Sequence, residues 1–419
     1  MTPVRQILVY RFFNDTIYKE YNHGMIIPRP GALDRIARSF RVHPIVALLG
    51  PRQCGKTTLA REFIAGESEW TFFDLESATG RRALAAPEEE LGRRAGHAVI
   101  DEVQRQPAIL EALRVLADRP DTSSRYLLLG SASPVLVGGA QETLAGRLGV
   151  VNLSGLHLGE ITGTSGKRGR QNWRTLWERG GFPRSYLAPD DELSGIWRDD
   201  FVNSFLERDI PQLGITTPAE ALRRFWTMIA HYHGQVWNAA EFARALGSNR
   251  PTARRYLDIL SGAFMVRVLP PWIENLKKRQ TKSPKIYLRD SGLLHTLLEI
   301  PSPDALPGHV KVGASFEGFA IEQVLSHLNP RSAYFWRTQA GAELDLLITH
   351  RGKRYGFEVK HSDAPGTTRS MHTAIADLGL EHLWVIYPGT EHYGLREKIT
   401  ALPIGGVPDL FRDISVDRA

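Results

Sequence analysis

The chain has 419 residues, 42% of them hydrophobic and 23% charged, with a net charge of +6. That length predicts two or three globular domains, and no apolar run reaches the roughly 18–20 residues of a membrane span. One cysteine excludes an internal disulfide and any multi-cysteine metal site, and the mild positive charge permits nucleic-acid binding without requiring it.

Residues 1–24 are polar, aromatic and irregular. They read as a disordered tail or a misassigned upstream start, with no clear signal peptide, so the expected location is cytoplasmic. Residues 25–160 alternate apolar strand candidates (Ile45–Leu49, Trp70–Leu75, Ala98–Ile100, Tyr126–Leu129, Val150–Leu153) with helical segments. This predicts an α/β domain: a parallel sheet with crossover helices, with ligands at the carboxyl ends of its strands.

The first strand candidate runs into Gly50-Pro51-Arg52-Gln53-Cys54-Gly55-Lys56-Thr57-Thr58. This is a complete GxxxxGK[ST] loop between a strand and a helix. In that context backbone N–H groups cradle phosphates, Lys56 reaches the β/γ-phosphates and the Thr57 hydroxyl ligates Mg²⁺. ATP and Mg²⁺ are the implied ligands. Cys54 reads as a small tolerated side chain, or alternatively as a thiol activated by a helix N-terminus.

A second strand, His97-Ala98-Val99-Ile100, ends in Asp101-Glu102. Asp101 suits Mg²⁺ ligation and Glu102 the positioning of an attacking water. The next strand ends in Gly130-Ser131-Ala132-Ser133, where Ser131 is preferred over Ser133 as a hydroxyl contact to phosphate or water. Transition-state charge calls for an arginine. Arg147 is the first candidate, with Arg184 and Arg208 behind it, and each is as readily a structural salt bridge.

Residues 161–235 read as helical, and residues 236–300 as a winged helix-turn-helix segment. In the latter, Ala240, Phe242, Ala243 and Leu246 form one apolar face and Gly247 makes the turn. Thr252, Arg254, Arg255 and Tyr256 then fall early on a second helix, where DNA binders concentrate their contacts. A strand at 264–269 and a basic stretch (Lys277-Lys278-Arg279, Lys282, Lys285) suit a wing, and another basic run occupies residues 167–170. Packing between domains is the competing reading.

Residues 301–419 read as α+β. Glu343-Leu344-Asp345 and Glu358-Val359-Lys360 suit adjacent strands of a hairpin, with Asp345, Glu358 and Lys360 on one face. Two carboxylates hold Mg²⁺ and a lysine activates water in phosphodiester cleavage. Glu317, on a helix beginning at Phe316, is a further ligand candidate. An inactive domain kept for binding or assembly is the alternative.

Together these motifs are specific. The chain resembles the bacterial and archaeal AAA-type P-loop ATPases that carry a C-terminal domain of unknown function similar to PD-(D/E)XK nucleases. The resemblance spans roughly residues 25–400. It rests on the phosphate loop, Ile100-Asp101-Glu102-Val103-Gln104, Gly130–Ser133 and Leu144-Ala145-Gly146-Arg147. Further motifs are Gly180-Gly181-Phe182-Pro183, Leu206–Ile210, Tyr287–Leu293, Phe335–Thr338, Gly341–Asp345 and Glu358–Lys360. It implies ATP binding and hydrolysis, a winged-helix segment and a restriction-endonuclease-like C-terminal domain. One departure is His97-Ala98, where bulkier apolar residues are usual. The functional expectation is an ATPase that couples nucleotide state to DNA binding, as a monomer or homo-oligomer. An ATP-gated nuclease, and a protein-remodelling or signalling ATPase without a nucleic-acid role, are the alternatives.

Overall fold

Five short apolar runs form the first sheet. The computed structural model describes residues 26–93, 96–119, 123–131, 143–161, 173–273 and 282–411. Residues 1–24, Ser133 and the basic runs 167–170 and 277–279 lie outside the described residues. Strands β1 (Ile45–Leu49), β2 (Trp70–Asp74), β3 (His97–Asp101), β4 (Tyr126–Gly130) and β5 (Leu148–Asn152) pair in the order β2-β3-β4-β1-β5, all parallel. Every residue of β1 and β4 is buried, as expected of strands covered on both faces. Helices α1 (Pro30–Ser39), α2 (Lys56–Phe63) and α3 (Ala108–Ala117) cover the sheet with Ile36, Leu59, Ile109 and Leu113.

His97 opens β3 where a bulkier apolar residue is expected. Its ring lies edge-on to Trp70 at 4.8 Å, and its Nδ1 accepts the Arg125 backbone N–H at 3.1 Å. A polar ring at the strand entrance thus has both its face and its acceptor satisfied.

The chain forms two compact units. Residues 26–50, 55–131 and 143–153 make one, and residues 51–54 and 154–411 the other. In the second unit, α4 (Trp173–Arg179) and α5 (Asp191–Ser204) are followed by a single π-helical stretch, Phe205–Asp209. Next come α6 (Ala219–His231), β6 (Gln235–Val236), α7 (Ala239–Ala245), α8 (Arg250–Gly262), β7 (Val266–Leu269) and β8 (Lys285–Leu288). The last three strands make an antiparallel sheet in the order β6-β8-β7. The strand expected from residue 264 starts at Val266, because Phe264 takes a left-handed backbone (φ 62°). A core of Phe201, Phe225, Trp226, Phe242, Leu257 and Leu260 holds these helices together.

After α9 (Ser291–Leu297) comes α10 (Val312–Leu328), buried along most of its length and apolar nearly all round, as a central helix must be. Strands β9 (Ala333–Arg337), β10 (Glu343–His350), β11 (Lys353–Val359), β12 (His382–Tyr387), β13 (Tyr393–Arg396) and β14 (Ile399–Pro403) then form a mixed sheet, β13-β14-β12-β11-β10-β9. Helix α11 (Arg369–Leu378) packs Met371, Ala374 and Leu378 against it. No helix among the described residues is long and apolar enough to cross a membrane.

The second unit has two buried neutral histidines. Trp177 Nε1 donates to Ser315 Oγ at 2.9 Å, leaving the Ser315 hydroxyl to donate to His295 Nε2 at 2.7 Å. His295 Nδ1 then donates to the Glu178 carbonyl at 3.1 Å. His233 Nδ1 accepts the Leu288 N–H at 2.9 Å, while its Nε2 has no partner among the described residues. Burial drives the His233 pKa down to about 3 and that of His295 to about 4. The unfolded chain therefore takes up protons near pH 6.5 that the folded chain refuses, so the contribution of these two histidines to stability is full above that pH and is lost as pH drops toward 4. Their share of the urea midpoint is expected to fall from about pH 7 to pH 5. His295→Gln should flatten that slope, and an unchanged slope in the variant would reject the assignment.

Candidate nucleotide site

In the first sheet β4 stands between β1 and β3, so the loops after these three strands emerge side by side at one edge. The loop after β1 enters α2 through Gly55, whose left-handed backbone (φ 98°) suits glycine, and no side chain caps that helix end. Lys56 is buried, and its Nζ donates to the Gly50 carbonyl at 3.0 Å. The ammonium is thus folded over its own loop.

The Thr57 hydroxyl donates to Asp101 Oδ2 at 2.7 Å. Residues 44 positions apart are in contact, and both side chains present oxygen, the donor type that suits Mg²⁺. Asp101 Oδ1 accepts the Glu102 N–H at 2.9 Å. Burial raises the Asp101 pKa, the Thr57 hydrogen bond and Lys56 oppose that rise, and Glu102 adds to it. A buried carboxylate whose burial penalty is only partly offset gains from a nearby cation.

Glu102 adopts a left-handed backbone (φ 55°), a conformation that costs a non-glycine residue roughly 1–3 kcal/mol and clusters at functional sites. Gln104 Nε2 donates to its Oε2, and Ser131 Oγ stands 3.5 Å from both of its oxygens. Lys56, Thr57, Asp101, Glu102 and Ser131 therefore converge at the carboxyl edge of the sheet.

Arg147 does not join them. It precedes β5 at the opposite edge, where its carbonyl accepts the Ile45 N–H at 3.2 Å. The length of β1 therefore separates it from Gly50, roughly 16 Å at about 3.3 Å per residue. Its guanidinium is bidentate to Asp118, at 2.5 and 2.8 Å, and also donates to the Ala145 carbonyl. Its expected role at this chain's own phosphate loop is corrected to that of a surface ion pair. Arg184 is exposed, and Arg208 Nε lies 3.2 Å from Asp209 Oδ1.

Asp209 carries no signal in the sequence beyond its place in Leu206–Ile210. It is buried in the π-helical stretch and pairs with Arg52 of the phosphate loop. A π-turn shifts the residues beyond it around the helix, and such turns recur at functional sites. Cys54, two residues after Arg52, is fully buried.

The residues expected to meet DNA divide in two. Arg254 and Arg255 are exposed on α8, with Arg254 Nε 3.0 Å from Asp258. Thr252 serves the helix cap, its N–H and hydroxyl both bonded to Asn249 Oδ1 at 2.9 Å. Tyr256 lies edge-on to Phe225 at 5.5 Å in the core. Those two side chains are committed to the fold, which corrects their expected role.

In the C-terminal sheet Asp345 and Glu358 are cross-strand neighbours on β10 and β11, and Asp345 Oδ2 accepts the Val359 N–H at 3.0 Å. Lys360 Nζ lies 2.7 Å from Glu358 Oε1. Glu317 on α10 accepts the Tyr287 hydroxyl at 2.7 Å. Burial, then the nearby Asp345 charge, push Glu317 up to about 7 and Glu358 up to about 8. Sequence reading missed Lys285 here. Its Nζ lies 2.5 Å from Glu343, 3.3 Å from Glu317 and 3.5 Å from Asp345. Among the described residues no group of three or more His, Cys, Asp or Glu is placed to hold a metal ion. The expected ligand set Glu317, Asp345 and Glu358 is corrected accordingly.

Comparison with known proteins matches three segments of the chain. A family model described as "AAA domain" matches residues 42–162. Two described as domains of unknown function match residues 170–304 (DUF8612) and 312–407 (DUF4143). The chain is 48% identical over 379 residues to "Uncharacterized protein Rv2008c" of Mycobacterium tuberculosis, covering 90% of this chain and 84% of that one. The chain belongs to the family of Rv2008c. The Mycobacterium bovis protein Mb2031c matches to the same extent.

Within this Rv2008c family member, residues 42–162 are an AAA-type P-loop ATPase domain. Among solved structures, the Walker-type ATPase paby2304 of Pyrococcus abyssi is similar at 15% identity and a TM-score of 0.44, over 65% of this chain and 96% of that one. The RuvB Holliday junction branch migration motor of Thermotoga maritima is similar at 19% identity and a TM-score of 0.28, over 58% and 90%.

Proposed function

We propose that the chain binds MgATP on residues 50–58 and hydrolyses it, and that nucleotide state is coupled to DNA binding through α7 and α8. The contact between Thr57 and Asp101 carries the ATPase reading, because it joins the two motifs that hydrolysis of a Mg-bound nucleoside triphosphate needs together. In this reading the phosphates lie on the loop N–H groups and the α2 N-terminus, where the helix dipole favours negative charge. Thr57 and Asp101 would hold Mg²⁺, which would supply positive charge to offset that of the phosphates. Lys56 leaves the Gly50 carbonyl for the phosphates. Glu102 accepts a hydrogen bond from the lytic water and draws its proton, while Gln104 and Ser131 hold that carboxylate in place. Arg147 faces the other edge of the sheet, so the reading takes the arginine for the γ-phosphate from a second copy of the chain. The exposed Arg184 and Arg208 are its candidates.

The DNA arm is supported by the order α6-β6-α7-α8-β7-β8, which is that of a winged helix, and by Arg254 and Arg255 exposed on α8. The six-stranded C-terminal sheet is read as a relative of PD-(D/E)XK domains that serves binding or assembly. ATP hydrolysis measured with and without duplex, single-stranded and branched DNA tests the coupling, and stimulation is the expected result. Affinity should fall with salt at a log–log slope of about −2 if two arginines neutralise phosphates, and Arg254→Ala/Arg255→Ala should bring the slope near zero. A slope near zero in the unaltered protein would move the reading to a protein-remodelling ATPase.

A further inference from the structure

We infer that Lys285 is the resident cation of the C-terminal carboxylate cluster, and that the cluster therefore binds no divalent metal and clasps strand β8 to α10 and β10. The cluster has the outward form of a metal site: Asp345 and Glu358 on adjacent strands, Glu317 on the helix across from them, and a lysine two residues after Glu358. Against two members of that form, Glu317 and Asp345, stands this chain's own ammonium. Lys285 Nζ lies 2.5 Å from Glu343 Oε1, 3.3 Å from Glu317 Oε1 and 3.5 Å from Asp345 Oδ1, so carboxylates from α10 and β10 surround one charge.

The remaining oxygens are largely committed. Asp345 Oδ2 accepts the Val359 N–H, Glu317 Oε1 also accepts the Tyr287 hydroxyl, and Glu358 Oε1 takes Lys360. Of the oxygens in this cluster, Glu358 Oε2 is the one that is buried without a partner among the described residues. One orphan oxygen does not make a coordination shell, since a divalent ion at such a site needs several oxygens at about 2.0–2.6 Å.

The lysine is not free to swing away. It opens strand β8, whose neighbours β6 and β7 both pair with it at Lys285, and its side chain is only 5% exposed. The ring of Phe335 stands 5.8 Å from its Nζ. A divalent ion entering between Glu317, Glu343 and Asp345 would have to displace this ammonium, which already lies against their oxygens. Glu343 and Lys285 give the arrangement its specificity. Glu343 precedes Asp345 by two residues and so faces the same side of β10, supplying the carboxylate nearest the ammonium.

Mn²⁺ binding, read by the electron paramagnetic resonance of free Mn²⁺, tests this on nucleotide-free full-length protein. An Asp101→Asn background silences the phosphate-loop site. At millimolar Mn²⁺, this protein and the same protein with Asp345→Asn should bind equal amounts. One bound Mn²⁺ fewer with Asp345→Asn would overturn the inference. Lys285→Met should open a Mn²⁺ site that Asp345→Asn removes again, and a folded Lys285→Met protein that gains none would also overturn it. Should Lys285→Met fail to fold, the comparison without it still decides. Cleavage of plasmid DNA with Mg²⁺ or Mn²⁺ should be absent from the unaltered protein, and nicking that is lost in Lys360→Ala would equally overturn the inference.

Discussion

Lys56→Ala is expected to lower ATP hydrolysis by about 10²–10³-fold, the usual loss when one preorganised charge at a transition state is removed. Lys56 is buried at the mouth of α2, where the Gly50 carbonyl holds its ammonium over the loop. The variant should fold. Alanine is the best helix former, and Leu59 and Ala60 supply the buried face of α2. The rate is read as phosphate release under saturating MgATP, with nucleotide binding measured separately so that loss of affinity and loss of chemistry are distinguished. A wild-type rate would remove residues 50–58 as the catalytic loop. Thr57→Ala is the companion. It deletes one of the two side-chain oxygens proposed to hold Mg²⁺, so its residual rate should need more Mg²⁺ for half-saturation.

Much of this site was legible because its determinants are local. A strand, a glycine-bounded loop and a helix occur in one short continuous segment, and each part is recognisable without the rest. Asp101-Glu102 was legible for the same reason, as a carboxylate pair ending an apolar strand. Arg147 was misplaced although the sequence held the answer. It precedes a parallel strand, and ligands lie beyond the other end. Tyr256 was misjudged through position alone: it lies four residues before the buried Leu260, so the helical period turns it toward the core.

Lys285 was not legible. It sits at the end of a basic stretch, and its charge partners lie 32 residues away at Glu317 and still farther at Glu343 and Asp345. The Gly180-Gly181 motif was recognisable but not interpretable. A Cβ at Gly180 would come within 2.2 Å of Asp290 Oδ1, and the Gly181 N–H donates to Asp290 Oδ2 at 2.8 Å. Two motifs 109 residues apart thus specify one contact, which no local pattern reveals. The fold also reuses residues that a motif reading assigns to function, as with Thr252 at its helix cap.

Glu322→Gln is expected to destabilise the second unit by about 3–5 kcal/mol, a large share of the roughly 5–15 kcal/mol that holds a typical domain folded. Glu322 is buried on α10 and receives Arg267 through both carboxylate oxygens, with its Nη2 at 2.9 Å, and Arg289 Nε at 3.3 Å. Burial alone would raise its pKa, but the two guanidinium groups together hold it below the ordinary carboxylate value. Its stabilising contribution is therefore full above about pH 4.5 and lost as pH falls below that. Glutamine keeps the shape and removes the charge, so two arginines are left without their counter-ion. The loss should appear as a lower urea midpoint in tryptophan fluorescence. Eight of the nine tryptophans lie in the second unit and only Trp70 in the first, so that signal reports the affected part. Replacing all three members by apolar residues of similar volume should restore most of the lost stability, because it removes the desolvation cost along with the attraction. If Glu322→Gln shifts the midpoint no more than a surface substitution does, the triad is not holding β7, β8 and α10 together.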